Sequence, residues 1–285
     1  MRSRPVRPVL KWAGGKSRSL PRILEVLPQE IDTYYEPFAG GAAVFFALAA
    51  AKRFKRAVLG DRNAELLSVY QGLKKDVDAV IQVLEGYRHD HDHYYKIRAL
   101  DPKDLELHER TARIIYLNKT GYNGLYRVNS KGQFNVPFGR YKDPRFLDPE
   151  ALRAAAAALK NVKLVLGDFE AVCGDAKQGD AVYFDPPYDP VSKTSNFTAY
   201  HHDAFGQDDH KRLAKKFKAL DRKKVTVVLS NSYTDFTKSL FQSWTVSEIS
   251  VSRPINSKAS ARGNVRELLV TNHVGEPVVT RRSRQ

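Results

Sequence analysis

Short apolar runs that end in an acidic or polar residue recur along the chain. The runs at 33–35, 57–60, 162–167, 181–184 and 225–229 end in Glu36, Asp61, Asp168, Asp185 and the pair Ser230 and Asn231. Near-continuous apolar runs of this length are typical of buried parallel strands. Helical patterns at 42–51 and 209–220 lie between them. The alternation predicts an open α/β sheet, which binds ligands beyond the carboxyl ends of its strands, where these acids fall.

The middle of the chain has a different pattern, because the strand–acid repeat is missing from residues 72–158. Helical patterns occupy 77–87, 109–117 and 151–159, and the segment 118–145 is rich in Gly, Asn, Tyr, Lys and Arg. We interpret 72–158 as a mostly helical insertion with its own task, within a catalytic domain formed by 1–71 and 159–274. Residues 244–252 and 265–271 alternate as an antiparallel strand pair would, and 275–285 are expected to be a disordered basic tail.

Composition narrows the class of protein. The chain has 285 residues, a single cysteine, and 47 Lys and Arg against 32 Asp and Glu, a formal charge of +15. One cysteine excludes an internal disulfide and a Cys-rich zinc site, and fits a reducing cytosol. No apolar run is long enough to span a membrane, and the basic start has no apolar segment of a signal peptide behind it. The charge favours a nucleic acid as partner, although basic runs can also be solvated helix faces.

A glycine turn follows the first acid. Glu36 is followed by Phe38, Gly40 and Gly41, and the alanine-rich helix pattern begins directly afterwards. Glycines let a ligand approach the backbone, and a helix N-terminus offers free N–H groups. Asp61 ends the next strand about 20 positions later, where an acid usually holds ribose hydroxyls. The pyrophosphate fingerprint G-x-G-x-x-G is missing, so the turn favours a nucleoside ligand, with an ordinary turn as the alternative.

Two further stretches have candidate chemistry. Gly15, Lys16 and Ser17 resemble the end of a P-loop, but Leu10 stands where the P-loop needs its first glycine. Lys16 could instead grip a carboxylate or a phosphate. Asp168 could accept a hydrogen bond from an exocyclic amine while Phe169 packs on a purine. The alternative is that Asp168 caps the next helix and Phe169 is a core residue.

The stretch Asp185-Pro186-Pro187-Tyr188 ends the fourth strand with two prolines, an acid and an aromatic ring. The amine of a nucleobase is a poor nucleophile, because its lone pair is delocalised into the ring. A carboxylate and a proline-flanked carbonyl can accept hydrogen bonds from that amine, and a proline brings no competing N–H. The tyrosine can stack on a base flipped out of a duplex. The motif therefore indicates methylation of an amine.

Several blocks of the sequence resemble one family in order and spacing. They are the stretches at 11–16, 36–41, 116–127, 132–141, 185–188 and 196–201, and the resemblance as a whole covers about residues 8–272. They are similar to the signatures of the DNA adenine-N6 methyltransferases of the Dam type, the alpha-order D12 class. The resemblance implies a Rossmann-like, S-adenosylmethionine-dependent (AdoMet-dependent) methyltransferase sheet with a target-recognition insertion. It also implies methyl transfer to N6 of adenine in duplex DNA, by base flipping and within the sequence GATC.

The resemblance also implies roles for individual residues. The flipped adenine is received by Asp185, Pro186, Pro187 and Tyr188. The cofactor is contacted by Trp12, Lys16, Glu36, Phe38, Gly40, Asp61, Asp168, Phe169 and Asp185. DNA is contacted by Lys11, Tyr122, Asn123, Leu125, Arg127, Pro137, Tyr141 and Asn196, with Lys11 and Arg127 reading guanine edges. No metal is expected, and we expect a cytoplasmic monomer of bacterial or phage type that associates with the nucleoid through DNA.

The second signature departs from several relatives, since Phe38-Ala39-Gly40-Gly41 replaces a Phe-x-Gly-x-Gly pattern. This departure affects the loop contacts and not the identity of the ligand. Other amine substrates remain as alternatives: cytosine N4, adenine in RNA, and a protein glutamine. Cytosine enzymes usually have Ser where this chain has Asp185, and a glutamine substrate would leave the insertion without a task. A basic nucleic-acid-binding module without catalysis is a further alternative, which leaves the strand-end acids unexplained.

Overall fold

A seven-stranded sheet forms the centre of the protein, as seen in a computed structural model that describes residues 6–12, 14–16, 18–189, 205–252 and 264–273. The strands are β1 (Ile31–Glu36), β2 (Phe54–Asp61), β3 (Val162–Leu166), β4 (Ala181–Phe184), β5 (Thr226–Ser232), β6 (Thr245–Ser252) and β7 (Asn264–Thr271). Their spatial order is β3-β2-β1-β4-β5-β7-β6. Strands β1 to β5 are parallel, and β7 runs antiparallel to both β5 and β6.

Ten α-helices belong to the described residues. They are α1 (Leu20–Val26), α2 (Ala43–Ala50), α3 (Ala64–Lys75), α4 (Val77–Glu85), α5 (His91–Ala99), α6 (Leu107–Thr120), α7 (Pro149–Leu159), α8 (Phe169–Val172), α9 (Gln207–Arg222) and α10 (Asp235–Phe241). Short 3-10 turns lie at Pro102–Asp104 and Tyr122–Gly124. Side-chain caps fix several of the helix starts; Asn63, for example, accepts a hydrogen bond from the backbone N–H of Leu66 at the start of α3.

The sheet is buried on both faces, which explains why its strands are almost wholly apolar. Successive side chains of a strand point to opposite faces. Tyr34 and Tyr183 pack into one core with α2, α3, α4, α6 and α7. Tyr35 and Phe184 pack into a second core with α8, α9 and α10. The helices of the insertion therefore share the first core with the sheet.

The predicted α/β sheet is confirmed, including the antiparallel pair near the end of the chain. Helices α1, α3, α5 and α10 were not predicted. Helix α3 runs from Ala64 to Lys75, so the expected domain boundary after residue 71 falls inside a continuous helix. The division into catalytic and recognition domains stays a prediction, as does the tail at 275–285, which lies outside the described residues.

The order of the strands determines where a ligand can bind. Strand β1 lies between β2 and β4, and the chain winds outward from β1 in one direction and from β4 in the other. Loops on the two sides diverge at such a point and leave a crevice beyond the carboxyl ends of the strands. Glu36 ends β1, and Asp185 directly follows β4. The two residues therefore face the same crevice.

Candidate active site

A cleft of about 1400 Å³ opens at the carboxyl edge of the sheet, between β1 and β4. It brings together all the residues that the sequence predicts for the cofactor and for the target base: Trp12, Lys16, Glu36, Phe38, Gly40, Asp61, Asp168, Phe169, Asp185, Pro186, Pro187 and Tyr188. These residues come from four strand ends and from the segment before α1. The cleft is the predicted location of the site, although the role of each residue stays a prediction.

The glycine turn forms one wall of the cleft. Gly40 has a φ of +46°, a conformation that favours glycine, and the backbone N–H of Gly40 donates to Oδ2 of Asp61 at 3.1 Å. A Cβ at Gly40 would lie 2.8 Å from Cδ1 of Trp12, so the indole packs directly on the turn. Burial raises the pKa of Asp61, which also accepts a hydrogen bond from the N–H of Asn63 at 2.9 Å. The backbone thus holds the Asp61 carboxylate at the cleft.

Lys16 and Asp185 form an ion pair inside the cleft. Nζ of Lys16 lies 2.7 Å from Oδ1 of Asp185, and it also donates to the carbonyl of Gly14 at 2.7 Å. The same ammonium lies 4.9 Å from the centre of the Tyr188 ring. Burial raises the pKa of Asp185 to about 6, against the opposing effect of Lys16. The sequence predicts that Lys16 binds a carboxylate or a phosphate, and the group it contacts in this structure is a carboxylate of the protein itself.

Glu36 has a structural partner as well as a place in the cleft. Its Oε2 accepts hydrogen bonds at 2.9 Å from the hydroxyl of Tyr34 and from the N–H of Phe45, in the first turn of α2. The carboxyl group is almost fully buried, and burial raises its pKa from 4.5 to about 8. Glu36 is therefore protonated near neutral pH and ties β1 to α2.

A polar network holds the chain just after the motif at 185–188. The N–H of Asp189 donates to Oδ1 of Asn231 at 3.2 Å, and the carbonyl of Asp189 accepts from the hydroxyl of Ser232 at 2.6 Å. Oδ2 of Asp189 accepts from the hydroxyl of Thr234 at 2.9 Å. Pro186 is buried beneath, while Pro187 is exposed toward solvent. The end of β5 thus fixes the direction in which the motif leaves β4.

Asp168 is already engaged by several donors. Its Oδ1 accepts from the N–H of Glu170, as a cap of α8, at 3.0 Å and from Nη2 of Arg212 at 3.1 Å. Nη2 of Arg62 lies 3.1 Å from its Oδ2. Phe169 is buried in the second core. The alternative is confirmed, because Asp168 caps a helix and Phe169 is a core residue. Both residues also line the cleft, and their contact with a purine stays a prediction.

A second cavity of about 510 Å³ lies beside the cleft and contains much of the predicted DNA-contacting set. It is lined by residues 137–141 together with Tyr122 and Asn123. Asn123 also lines the main cleft, so the two cavities are neighbours. Tyr122, Leu125 and Pro137 are exposed. The structure therefore places residues 118–141, the predicted reading loop, at the mouth of the predicted catalytic cleft.

Lys11 is joined to this loop through a buried asparagine. Oδ1 of Asn118 accepts from the N–H of Lys11 at 2.8 Å, and Nδ2 of Asn118 donates to the carbonyls of Lys11 at 2.8 Å and Gly124 at 3.0 Å. Nζ of Lys11 lies 4.9 Å from the centre of the Tyr141 ring. Arg127 is exposed, and it donates from Nε to Oδ1 of Asn135 at 2.7 Å and from Nη2 to the Asn135 carbonyl at 3.1 Å. Both predicted guanine readers are thus oriented by an asparagine.

Several residues at the cleft or next to it were not predicted, among them four with charged or aromatic side chains. Glu267 on β7 and Phe205 before α9 both line the cleft, as does Arg62. Tyr126 stacks on Trp12, with ring centres 5.2 Å apart. Arg62 directly follows Asp61, which is a signal that could have identified it. The other three reach the site through long-range packing, which leaves no local pattern. Asn196 lies outside the described residues.

Over the described ranges, no three His, Cys, Asp or Glu side chains gather to hold a metal ion. The expectation of no metal stays a prediction. Among the same residues, no helix has both the length and the apolar character needed to cross a membrane.

Comparison with known proteins identifies the family. The family model for "D12 class N6 adenine-specific DNA methyltransferase" matches residues 12–255. The chain is 42% identical to the Type II methyltransferase M1.LlaDCHI of Lactococcus lactis subsp. cremoris, covering 94% of this chain and 96% of that one. It is 42% identical to the Type II methyltransferase M.MjaIII of Methanocaldococcus jannaschii, with 94% and 99% covered. It is 36% identical to the DNA adenine methylase of Escherichia coli K12, with 92% and 94% covered.

Solved structures add a distant similarity only. One is a precorrin 8w decarboxylase from Methanobacterium thermoautotrophicum, with a TM-score of 0.39, 12% identity, and 92% and 94% of the two chains covered. The family model spans most of the chain, and the relatives match it over nearly their whole length. The chain therefore belongs to the D12 class of N6 adenine-specific DNA methyltransferases.

Proposed function

We propose that the protein uses S-adenosylmethionine to methylate N6 of an adenine that is flipped out of duplex DNA, within the sequence GATC. The observation that carries the proposal is the position of Asp185 and Tyr188. They lie at the end of β4 in a cleft that also contains the glycine turn and Asp61, and Asn123 of the reading loop reaches the same cleft. One cavity thus holds groups suited to a nucleoside, to an amine and to the edge of a duplex.

The cleft fits an adenosyl group that carries an amino acid. The carboxylate of Asp61 is half-buried and faces the cleft, where it can accept hydrogen bonds from ribose hydroxyls. The glycine turn has no room for a Cβ beside Trp12, so backbone and indole together form a close wall for a ligand. Phe38 and Phe169 supply aromatic rings 5.6 Å apart on the same side of the cleft. Lys16 supplies the cation for the carboxylate of the amino acid.

The chemistry that we assign to the chain centres on Asp185. S-adenosylmethionine, when bound, supplies an electrophilic methyl group. The carboxylate of Asp185 and the carbonyl of Pro186 accept the N–H groups of adenine N6, which localises the nitrogen lone pair for attack. The ring of Tyr188 stacks on the base and keeps it out of the duplex. The pKa of Asp185, about 6, lies below neutral, so Asp185 is ionised and able to accept at physiological pH.

The sequence GATC is what the resemblance implies, and the reading loop supports it. Arg127 and Lys11 are exposed and held by asparagines, as side chains that read guanine edges need to be. Six of the matched relatives are called DNA adenine methylases, at 34% to 36% identity, and these names support adenine as the target base. The formal charge of +15 supports binding to the phosphate backbone.

The test uses S-adenosylmethionine with a tritiated methyl group. Substrates are a duplex with one GATC site, the same duplex with the site scrambled, a GATC duplex that already carries N6-methyladenine on both strands, single-stranded DNA, and RNA. We expect label on the unmodified GATC duplex alone, and N6-methyladenine after digestion to nucleosides. Equal label on the scrambled duplex would remove the GATC claim. Label on cytosine or on RNA would show that adenine in duplex DNA is not the substrate.

Two variants make the test specific for the site. Asp185→Ala should still bind the duplex but, at saturating cofactor, transfer methyl at least a hundredfold more slowly, because it loses the acceptor for N6. Asp32→Ala removes a carboxylate that pairs with Lys55 at the opposite, amino-terminal edge of the sheet, and should keep full activity. If Asp185→Ala keeps the activity of the Asp32→Ala control, Asp185 is not the acceptor.

A further inference from the structure

Tyr126 belongs to the predicted reading loop and lies beside Trp12, at the predicted cofactor cleft. Its ring stacks on Trp12 with centres 5.2 Å apart and planes inclined by 29°. In the chain it stands between Leu125, which lines the cleft, and Arg127, which is predicted to read a guanine edge. A movement of this loop toward or away from DNA therefore changes the surface on which Trp12 rests.

The hydroxyl of Tyr126 is tied to a charged group on α3. It donates to Oε2 of Glu65 at 2.7 Å. Oε1 of Glu65 faces Nη1 of Arg113 at 3.6 Å, and the Arg113 side chain is only 2% exposed. Arg113 is fixed by donating to the carbonyls of Ile97 and Arg98 at 3.1 and 2.8 Å. Glu65 is thus held by a buried cation, and it is a fixed hydrogen-bond acceptor for the hydroxyl of Tyr126.

Trp12 also contacts the glycine turn. A Cβ at Gly40 would lie 2.8 Å from Cδ1 of the indole, and one at Gly41 would lie 3.2 Å from its Cβ. The carbonyl of Gly40 is held by the hydroxyl of Tyr70 at 2.5 Å. Trp12 therefore contacts both a fixed turn and the ring of Tyr126. The position of the indole, and so the width of the cleft, depends on where Tyr126 lies.

We propose that Tyr126 is a positioning residue that makes the binding of cofactor and of duplex DNA mutually dependent. This inference rests on the proposed function, which places the cofactor in the cleft lined by Trp12 and the duplex at the reading loop that contains Tyr126. The hydroxyl fixes the position of the loop through its hydrogen bond to Glu65, and the stacked ring in turn fixes the position of Trp12. Because coupling between two sites is reciprocal, each ligand tightens the binding of the other by the same factor.

The test measures the affinity for S-adenosylhomocysteine, which cannot react, by calorimetry with and without a saturating GATC duplex. In the wild type we expect the duplex to tighten this affinity fivefold or more. Tyr126→Leu should weaken S-adenosylhomocysteine binding to the free protein and reduce the coupling to less than twofold. Tyr126→Phe keeps the ring, so without DNA it should bind S-adenosylhomocysteine as the wild type does. The duplex should tighten this binding less than it does in the wild type. Glu65→Gln keeps an acceptor for the hydroxyl and should restore most of the coupling that Glu65→Ala loses.

A matched control separates coupling from folding. Tyr95→Leu removes a tyrosine from α5 that stacks on Arg98 and His91, away from Trp12. Tyr95→Leu should leave unchanged the ratio of the S-adenosylhomocysteine affinities measured with and without the duplex. If Tyr126 had only a structural role, Tyr126→Leu would lower the melting temperature without altering that ratio. Coupling that persists in Tyr126→Leu, or that the wild type lacks while binding both ligands, overturns the inference. A wild type that fails to bind S-adenosylhomocysteine or the duplex overturns the proposed function instead.

Discussion

Lys16 and Asp185 form a close ion pair in the cleft, with Nζ and Oδ1 2.7 Å apart and the side chains 5% and 20% exposed. Two buried charges stabilise each other only while both are present, since removal of one leaves the other without a counterion. The lysine comes from the segment before α1 and the aspartate from the end of β4. The pair therefore joins the two elements that frame the site.

The first prediction concerns the pH dependence of the wild type. Burial raises the pKa of Asp185 from 3.8 to about 6, and only the ionised carboxylate accepts hydrogen bonds from the N6 amine at both oxygens. Activity should therefore be full well above pH 6 and fall tenfold per unit below it. The measurement is the single-turnover rate of methyl transfer from pH 5 to pH 9, with saturating duplex and cofactor. A flat profile down to pH 5 would contradict the assignment of Asp185.

The second prediction concerns the loss of the cation. Lys16→Gln removes the charge that opposes the effect of burial, so the pKa of Asp185 should rise further and the acid limb of the profile should move to higher pH, by about one unit. The same pH series tests this. Lys55→Gln is the matched control, because it breaks an ion pair of the same 2.7 Å length between exposed side chains, with Asp32. An unshifted limb in Lys16→Gln would mean that the pair does not control the ionisation of Asp185.

The sequence predicts the site better than it predicts the contacts within it. The carboxyl ends of parallel strands meet at one edge, so acids such as Glu36 and Asp61 could be placed together from their positions alone. Glu267 reaches the cleft because β7 inserts between β5 and β6, and no local pattern specifies that order. The stack of Tyr126 on Trp12 likewise joins residues more than a hundred positions apart in the chain.

Helix α5 shows why some elements escaped prediction. Within His91–Ala99 only Tyr94 and Ile97 are buried, so the apolar stripe is too thin to be recognised. The helix is fixed by its cap, since Oδ1 of Asp90 accepts from the N–H of His93 at 2.7 Å, and by packing against α6. Tertiary packing thus supplies the stability that the pattern lacks.

The third prediction concerns Glu36 and stability. The folded protein holds a proton on Glu36 up to about pH 8, whereas the unfolded chain releases it near pH 4.5. The stability linked to this group is thus full below pH 4.5 and is lost as the pH rises toward 8, by about 1.4 kcal/mol per pH unit at most. Glu36→Gln keeps an acceptor for Tyr34 and Phe45 without a proton to lose.

Urea unfolding at pH 5, 6, 7 and 8 measures this difference. The free energy of unfolding of the wild type should fall relative to that of Glu36→Gln across the series, and the two should be closest at pH 5. Parallel pH dependences in the two proteins would mean that Glu36 is ionised in the folded state.

The fourth prediction concerns recognition of guanine. Arg127→Ala should reduce discrimination at one guanine by about 1–3 kcal/mol, with a smaller loss of affinity for DNA in general. Asn135→Ala should act in the same direction but more weakly, because Asn135 only orients the guanidinium through contacts of 2.7 and 3.1 Å. Arg153→Ala removes an exposed arginine that pairs with Asp78 and serves as the control. Rates on duplexes with each single substitution in GATC provide the measurement, and a uniform loss on all of them would make Arg127 a phosphate contact.

The fifth prediction contrasts two glycines at the ends of neighbouring strands. A Cβ at Gly60 in β2 would lie 2.3 Å from Cγ2 of Val172, whereas a Cβ at Gly167, just after β3, would meet nothing within 4 Å. Gly60→Ala must push α8 away from the sheet, and overpacking of this kind costs about 1–3 kcal/mol. Gly167→Ala only restricts the unfolded chain, so it should be neutral or up to about 1 kcal/mol more stable. Urea unfolding of both variants tests this, and equal stability would mean that α8 is free to shift away from β2.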